Sequence, residues 1–96
     1  MAIPELLDGA RVVCAITLDD RHVPTGATRH HVGGQLQLAF AKLAICQYDE
    51  PDSGCYLFYC DAEWTVVTDT WHETLDDAKR QAAFEYDGVS DSWQSP

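Results

Sequence analysis

Apolar residues fall in short blocks separated by polar, glycine- and proline-bearing stretches. "RVVCAITL" (Arg11–Leu18), "CYLFYC" (Cys55–Cys60) and "WTVVTDTW" (Trp64–Trp71) are rich in β-branched and aromatic residues, the composition of strands. "DEPDSG" (49–54) is a turn-forming cluster and "DAE" (61–63) a tight turn, so the later strands are expected to form an antiparallel meander. In "QLQLAFAKLAICQYD", Leu36, Leu38 and Phe40 alternate as in a strand, whereas Leu36, Phe40 and Leu43 fit a helical face. That segment is read as a short irregular or helical piece leading into a strand at Lys42–Tyr48. "IPELLDG" predicts one helical turn, with Pro4 at its start and Gly9 past its end. Asp19–Gly34 has three glycines, a proline and no period, and is read as a long loop with room for a short extended segment.

After the last strand the period changes. Leu75, Ala78, Ala82 and Tyr86 form a narrow stripe at 3.6-residue spacing. Thr74 is placed to cap the N-terminus, with Asp76 and Asp77 in the first turn, where the helix dipole favours negative charge. Gly88 is expected at the left-handed residue past the helix end, with Val89 packing on Phe84, and Asp76 is expected to pair with Arg80. Residues 90–96 carry no pattern and read as a flexible tail. The expected fold class is therefore α+β: one domain over residues 1–96, an antiparallel sheet of about four strands, and one C-terminal amphipathic helix packed on one face.

Alternation raises a difficulty. In "CYLFYC", Cys55, Leu57 and Tyr59 take one side and Tyr56, Phe58 and Cys60 the other, and both sides are apolar. Trp64 and Val66 likewise oppose Val67 and Trp71, and Val12, Cys14, Ile16 and Leu18 oppose Val13 and Ala15. One helix covers one face. The second face is therefore expected to be an association surface, with Tyr56, Phe58, Trp64, Trp71 and Trp93 as the partner-binding residues.

Charge sharpens this expectation. The chain carries −10, and the whole imbalance lies in residues 49–96, where twelve acids face only Lys79 and Arg80. Such a field repels phosphate backbones, so direct nucleic-acid binding is not expected, while a basic partner suits it. No run reaches the 18 apolar residues of a membrane span, and the first residues lack the features of a signal peptide, so a cytoplasmic protein is expected. Cys14, Cys46, Cys55 and Cys60 show no zinc or redox spacing and are expected to be buried thiols rather than disulfides.

Candidate chemistry is sparse. "DTWHET" places Asp69, His72 and Glu73 around the strand–helix joint, where they are most simply turn residues; with a loop histidine they are the weak candidates for a metal site. The loop 21–34 concentrates Arg21, His22, Arg29, His30 and His31, of which Arg21, Arg29, His30 and His31 are the candidate anion-binding set. No nucleophile motif and no phosphate loop is present, and no cofactor is called for.

"YLFYCDAEWTVVTDTWHETLDDAKRQAAFEYDG", together with "LAICQYD", resembles a group of small, uncharacterised bacterial proteins, chiefly over the C-terminal half. That resemblance implies no activity and no site residues. The strand followed by a threonine-capped, alanine-rich helix also looks like the joint of HicB-type antitoxins, a likeness of fold only, and this chain lacks the DNA-binding appendage that many of those carry. The expected function is a non-enzymatic interaction module that self-associates or binds a basic partner, in the manner of an immunity protein or antitoxin. The alternative is a small enzyme or a metal- or anion-dependent ligand binder using Asp69, His72 and Glu73.

Overall fold

Strands form where the β-branched and aromatic blocks place them. The computed structural model describes residues 3–27, 30–32, 34–37, 40–50 and 53–96. In chain order the elements are β1 (Leu6–Leu7), β2 (Ala10–Thr17), β3 (Val23–Pro24), β4 (His30–Val32), β5 (Gln35–Gln37), β6 (Lys42–Gln47), β7 (Cys55–Cys60), β8 (Val66–His72), α1 (Leu75–Glu85) and β9 (Tyr86–Asp87). The main sheet is antiparallel with five strands in the order β1-β2-β6-β7-β8; β3 pairs with β9, and β4 with β5. The fold class is thus α+β, with one strand more than expected.

That extra strand is a correction. "IPELLDG" makes no helical turn: Leu7 pairs with Ala10 across Asp8 and Gly9, both at positive φ (49° and 80°). This is the backbone of a two-residue hairpin turn, which Asp-Gly favours. Gln35–Gln37 likewise proves to be strand.

α1 begins as expected, with Thr74 Oγ1 accepting from the Asp77 N–H at 3.1 Å. Its far end differs. Tyr86 leaves the helix in extended conformation to form β9, and Phe84 is exposed, while Val89 is buried in the helix-side core. The last-turn carbonyls are satisfied by Thr25, which donates its N–H to Glu85 O (2.8 Å) and its hydroxyl to Phe84 O (2.6 Å). Arg80 pairs with Asp77 at 3.1 Å rather than with Asp76.

Ala78 and Ala82 let α1 lie close to the sheet over Cys14, Ile16, Leu43, Ile45, Leu57 and Tyr59, the first core. The opposite face holds a second core of Leu7, Ala10, Val12, Ala15, Ala44, Cys46, Phe58, Cys60 and Trp64, edged by Ile3, Tyr56 and Val66. Two bulges create this arrangement, one between Val12 and Cys14 and one opposite Tyr59–Cys60. Each inserts a residue, reverses the alternation beyond it and tightens the local twist. Val12 and Ala15 therefore share a face, as do Val66 and Trp71, contrary to strict period two. The sheet curls over its own small residues, and β1 and Trp64 close it. Phe58 is only 2% exposed and Trp64 7%, so neither presents a surface. The expectation of an open second face fails at Phe58 and Trp64; among the described residues its end at Tyr48, Tyr56 and Trp71 is open.

Trp64 lies in the turn before β8 at φ 65°. The strained backbone is held by Asp61, whose carboxylate accepts from Glu63 N–H (2.8 Å) and Thr65 N–H (2.9 Å). The indole packs inward, and Lys42 Nζ stands 4.6 Å from its ring centroid.

Candidate functional site

The open end of the second face carries a row of aromatics across three strands. Tyr48 follows β6, Tyr56 lies on β7, and Trp71 is the register partner of Tyr56 on β8. Tyr48 and Tyr56 meet edge to face at 5.4 Å, and Tyr56 continues to Phe58 at 6.0 Å. Trp71 is 50% exposed, Tyr48 36%, and Tyr56 half-buried. The polar ends of the two outer rings are tied down: Trp71 Nε1–H donates to Ser53 O (2.7 Å) and Tyr48 OH to Asp8 O (3.1 Å). Those two rings are held by hydrogen bonds, and Tyr56 lies between neighbours, against Tyr48 and Phe58. Asp69, register partner of Phe58, is exposed on the same face, one place along β8 from Trp71. Partial burial first, then the nearby Asp8, Tyr56 and Asp69, raise the phenol pKa of Tyr48. Of these neighbours, Asp8 and Asp69 are carboxylates and place negative charge beside the ring.

Of the five residues expected to bind a partner, Tyr56 and Trp71 belong to this row. Phe58 and Trp64 are core, and Trp93 packs against the helix-side core on the other side of the sheet. Tyr48 and Asp8 were not foreseen. Tyr48 is two residues beyond Cys46 and so continues its face, and the Asp-Gly turn signal would have brought Asp8 beside it.

The strand–helix joint does not gather its candidates. Asp69 is on the face with the aromatics, whereas His72 pairs with Cys55 on the helix-covered face, and Glu73 is exposed beyond the strand. Asp69 and His72 are three residues apart in a strand and must point oppositely. Among the described residues, no three His, Cys, Asp or Glu side chains lie close enough to hold a metal ion.

His72 instead starts a polar chain beneath α1. Its Nε2 lies 2.8 Å from Thr70 Oγ1, which lies 3.4 Å from Tyr59 OH, and Tyr59 donates to the buried Glu85 carboxylate. Gln81 Nε2 donates to the same oxygen at 3.1 Å. Because Tyr59 gives its proton to Glu85, it accepts from Thr70, which in turn accepts from His72 Nε2–H; every donor points inward to the carboxylate. Burial, reinforced by the Glu85 carboxylate, raises the Tyr59 pKa far above the phenol range. With Tyr59 wholly buried, this chain satisfies an interior carboxylate and offers no substrate access.

Of the anion-binding set, only Arg21 has a described side chain. Arg21 is engaged with Asp19 through Nε (3.1 Å) and Nη2 (2.9 Å), and this pair holds the Asp19 carboxyl down at about 2. Arg29 lies outside the described residues; His30 and His31 are in β4.

A cavity of about 330 Å3 beside the C-terminal segment brings together Asp19, His22 and Ser92. His22 Nε2 is 2.9 Å from Ser92 Oγ, and Nδ1 is 3.3 Å from Asp19 Oδ1, the spacing of a catalytic triad. The protons run the wrong way for catalysis. The Asp19 backbone N–H donates to Nδ1 (3.0 Å), so Nε2 carries the ring proton and donates to Ser92, whose hydroxyl donates to Gly88 O (3.1 Å). No imidazole lone pair faces the serine, so His22 cannot act as its base. The trio is a structural latch. Nearby, Gln94 exchanges both backbone hydrogen bonds with Ala15 (2.8 and 2.9 Å), so the tail expected to be flexible is docked on the edge of β2. Deleting residues 91–96 leaves His22 and Ala15 without these partners and uncovers the Trp93 contact. A loss of about 3 kcal/mol is expected in urea denaturation, and an unchanged midpoint would show that the segment contributes nothing.

Comparison of the chain with protein-family models, with curated proteins and with solved structures finds no match. Among the described residues no helix is long and apolar enough to cross a membrane. All four cysteines are buried free thiols.

Proposed function

We propose that this chain is a non-enzymatic docking module for a basic protein partner, engaged through the open end of its second sheet face. The observation that carries this reading is the row Tyr48–Tyr56–Trp71, partly exposed, tethered at its polar ends and flanked by Asp8 and Asp69. Fixed aromatic rings supply contact area at small entropic cost, and carboxylates beside them select for positive charge. A second copy of the chain would bring the same carboxylates and the same −10 to the interface, so a basic partner is favoured over self-association. Four reduced, buried thiols fit the reducing cytoplasm, and the role suits an immunity protein or antitoxin facing a cationic toxin.

A soluble peptide of mixed lysine and arginine, net charge about +6, titrated into the chain by calorimetry, tests the reading. Binding should weaken as salt rises and fall by about tenfold in Trp71→Ala, the scale of a central aromatic contact. Absence of binding, or binding indifferent to Trp71→Ala, overturns the proposal.

A further inference from the structure

The geometry points to arginine as the side chain this face recognises, and we infer that the partner presents an arginine guanidinium that stacks on the Tyr56–Trp71 pair while donating to Asp69. This inference rests on the docking role proposed above and names its chemistry.

Three observations carry it. First, Tyr56, Phe58, Asp69 and Trp71 form two adjacent register pairs on one face, Tyr56 with Trp71 and Phe58 with Asp69. Diagonal neighbours in such a ladder are roughly 7–8 Å apart at Cα, within reach of one guanidinium lying on the Tyr56 ring with its N–H edge toward the Asp69 carboxylate. Second, the polar atoms of the flanking aromatics are committed elsewhere, Trp71 Nε1 to Ser53 O and Tyr48 OH to Asp8 O, so the rings have only π-faces and edges to offer an incoming group. Third, the same face already holds one cation against an aromatic ring: Lys42 is buried with Nζ 4.6 Å from the Trp64 centroid.

Lysine and arginine would both be attracted by the charge, but they are not equivalent here. The guanidinium is planar and weakly hydrated, stacks on an aromatic ring and presents a two-pronged donor edge to a carboxylate. Ammonium is a strongly hydrated point charge that gains from a ring or from a carboxylate without matching the plane of either. A flat ring with a carboxylate one register step away therefore discriminates in favour of arginine.

Capped hexa-arginine and hexa-lysine peptides of equal charge, titrated into the full chain by calorimetry, test this. The arginine peptide should bind about fivefold or more tightly than the lysine peptide. Asp69→Asn should remove most of that difference, while Asp76→Asn, an equal charge change on the helix covering the other face, should leave it intact. Equal affinity of the two peptides for the native chain, or a preference unaffected by Asp69→Asn, overturns the arginine assignment and leaves the docking role standing. If neither peptide binds, both fall together.

Discussion

Replacing Gly54 by alanine should cost about 3–4 kcal/mol, the sum of a left-handed backbone forced on an L side chain and a steric collision. Gly54 has φ +74°, and a Cβ there would stand 2.5 Å from His72 O and 2.7 Å from Trp71 Nε1. Neither neighbour can yield cheaply. One is the backbone of β8, and the other is an indole held by its hydrogen bond to Ser53 O. Gly26→Ala is the matched control: φ is +78°, but nothing lies within 4 Å, so only the backbone contribution of about 1–2 kcal/mol remains. Urea denaturation of the two variants decides the matter. A Gly54 variant no less stable than the Gly26 variant would mean that the close approach of Gly54 to Trp71 and His72 is not as described. Because the collision displaces Trp71, peptide binding should be lost in the folded Gly54 variant as well.

The second large effect is an alkaline loss of stability beginning near pH 9. Burial pushes the Cys46 and Cys60 thiols from 9.0 up to about 12, and that of Tyr59 rises as well. The native chain therefore keeps protons that the unfolded chain releases. For such groups the stabilisation is complete below the unfolded pKa and falls as pH rises through the window up to the folded pKa. Each thiol withdraws about 1.4 kcal/mol per pH unit above 9, so roughly 5 kcal/mol should be gone by pH 11. That is comparable with the whole stability of a typical domain. Denaturant midpoints measured under reducing conditions at pH 8, 9, 10 and 11 should decline with increasing slope, and Cys46→Ala should make the decline shallower. Constant midpoints from pH 9 to 11 would contradict the burial of these thiols.

Composition and period placed β2, β6, β7 and β8 to within two residues, and Thr74 marked the start of α1, because β-branched content and capping are local properties. Where the reading failed, longer-range contacts decided. Nothing local in "RVVCAITL" or "WTVVTDTW" announces a bulge, yet the two bulges determine which side chains share a face. The curl they produce turned Phe58 and Trp64 from expected surface into core. The end of α1 is set by Thr25 and by pairing of β9 with β3, more than sixty residues apart in the chain. Two misses were avoidable. Asp8-Gly9 is a hairpin signal, and the odd spacing of Asp69 and His72 already separates them across a strand. Trp71 and Tyr56 were legible because plain alternation between them is undisturbed.

The inserted residue in β8 has a consequence for how this chain tolerates change. Beyond Val67 every side chain owes its orientation to that one extra position. Point replacements along β8 leave the phase intact, whereas a single-codon deletion there would invert it, burying Asp69 and turning Thr70 outward. Variation in this strand should therefore proceed by exchange of residues, with changes of length confined to the turns at its ends.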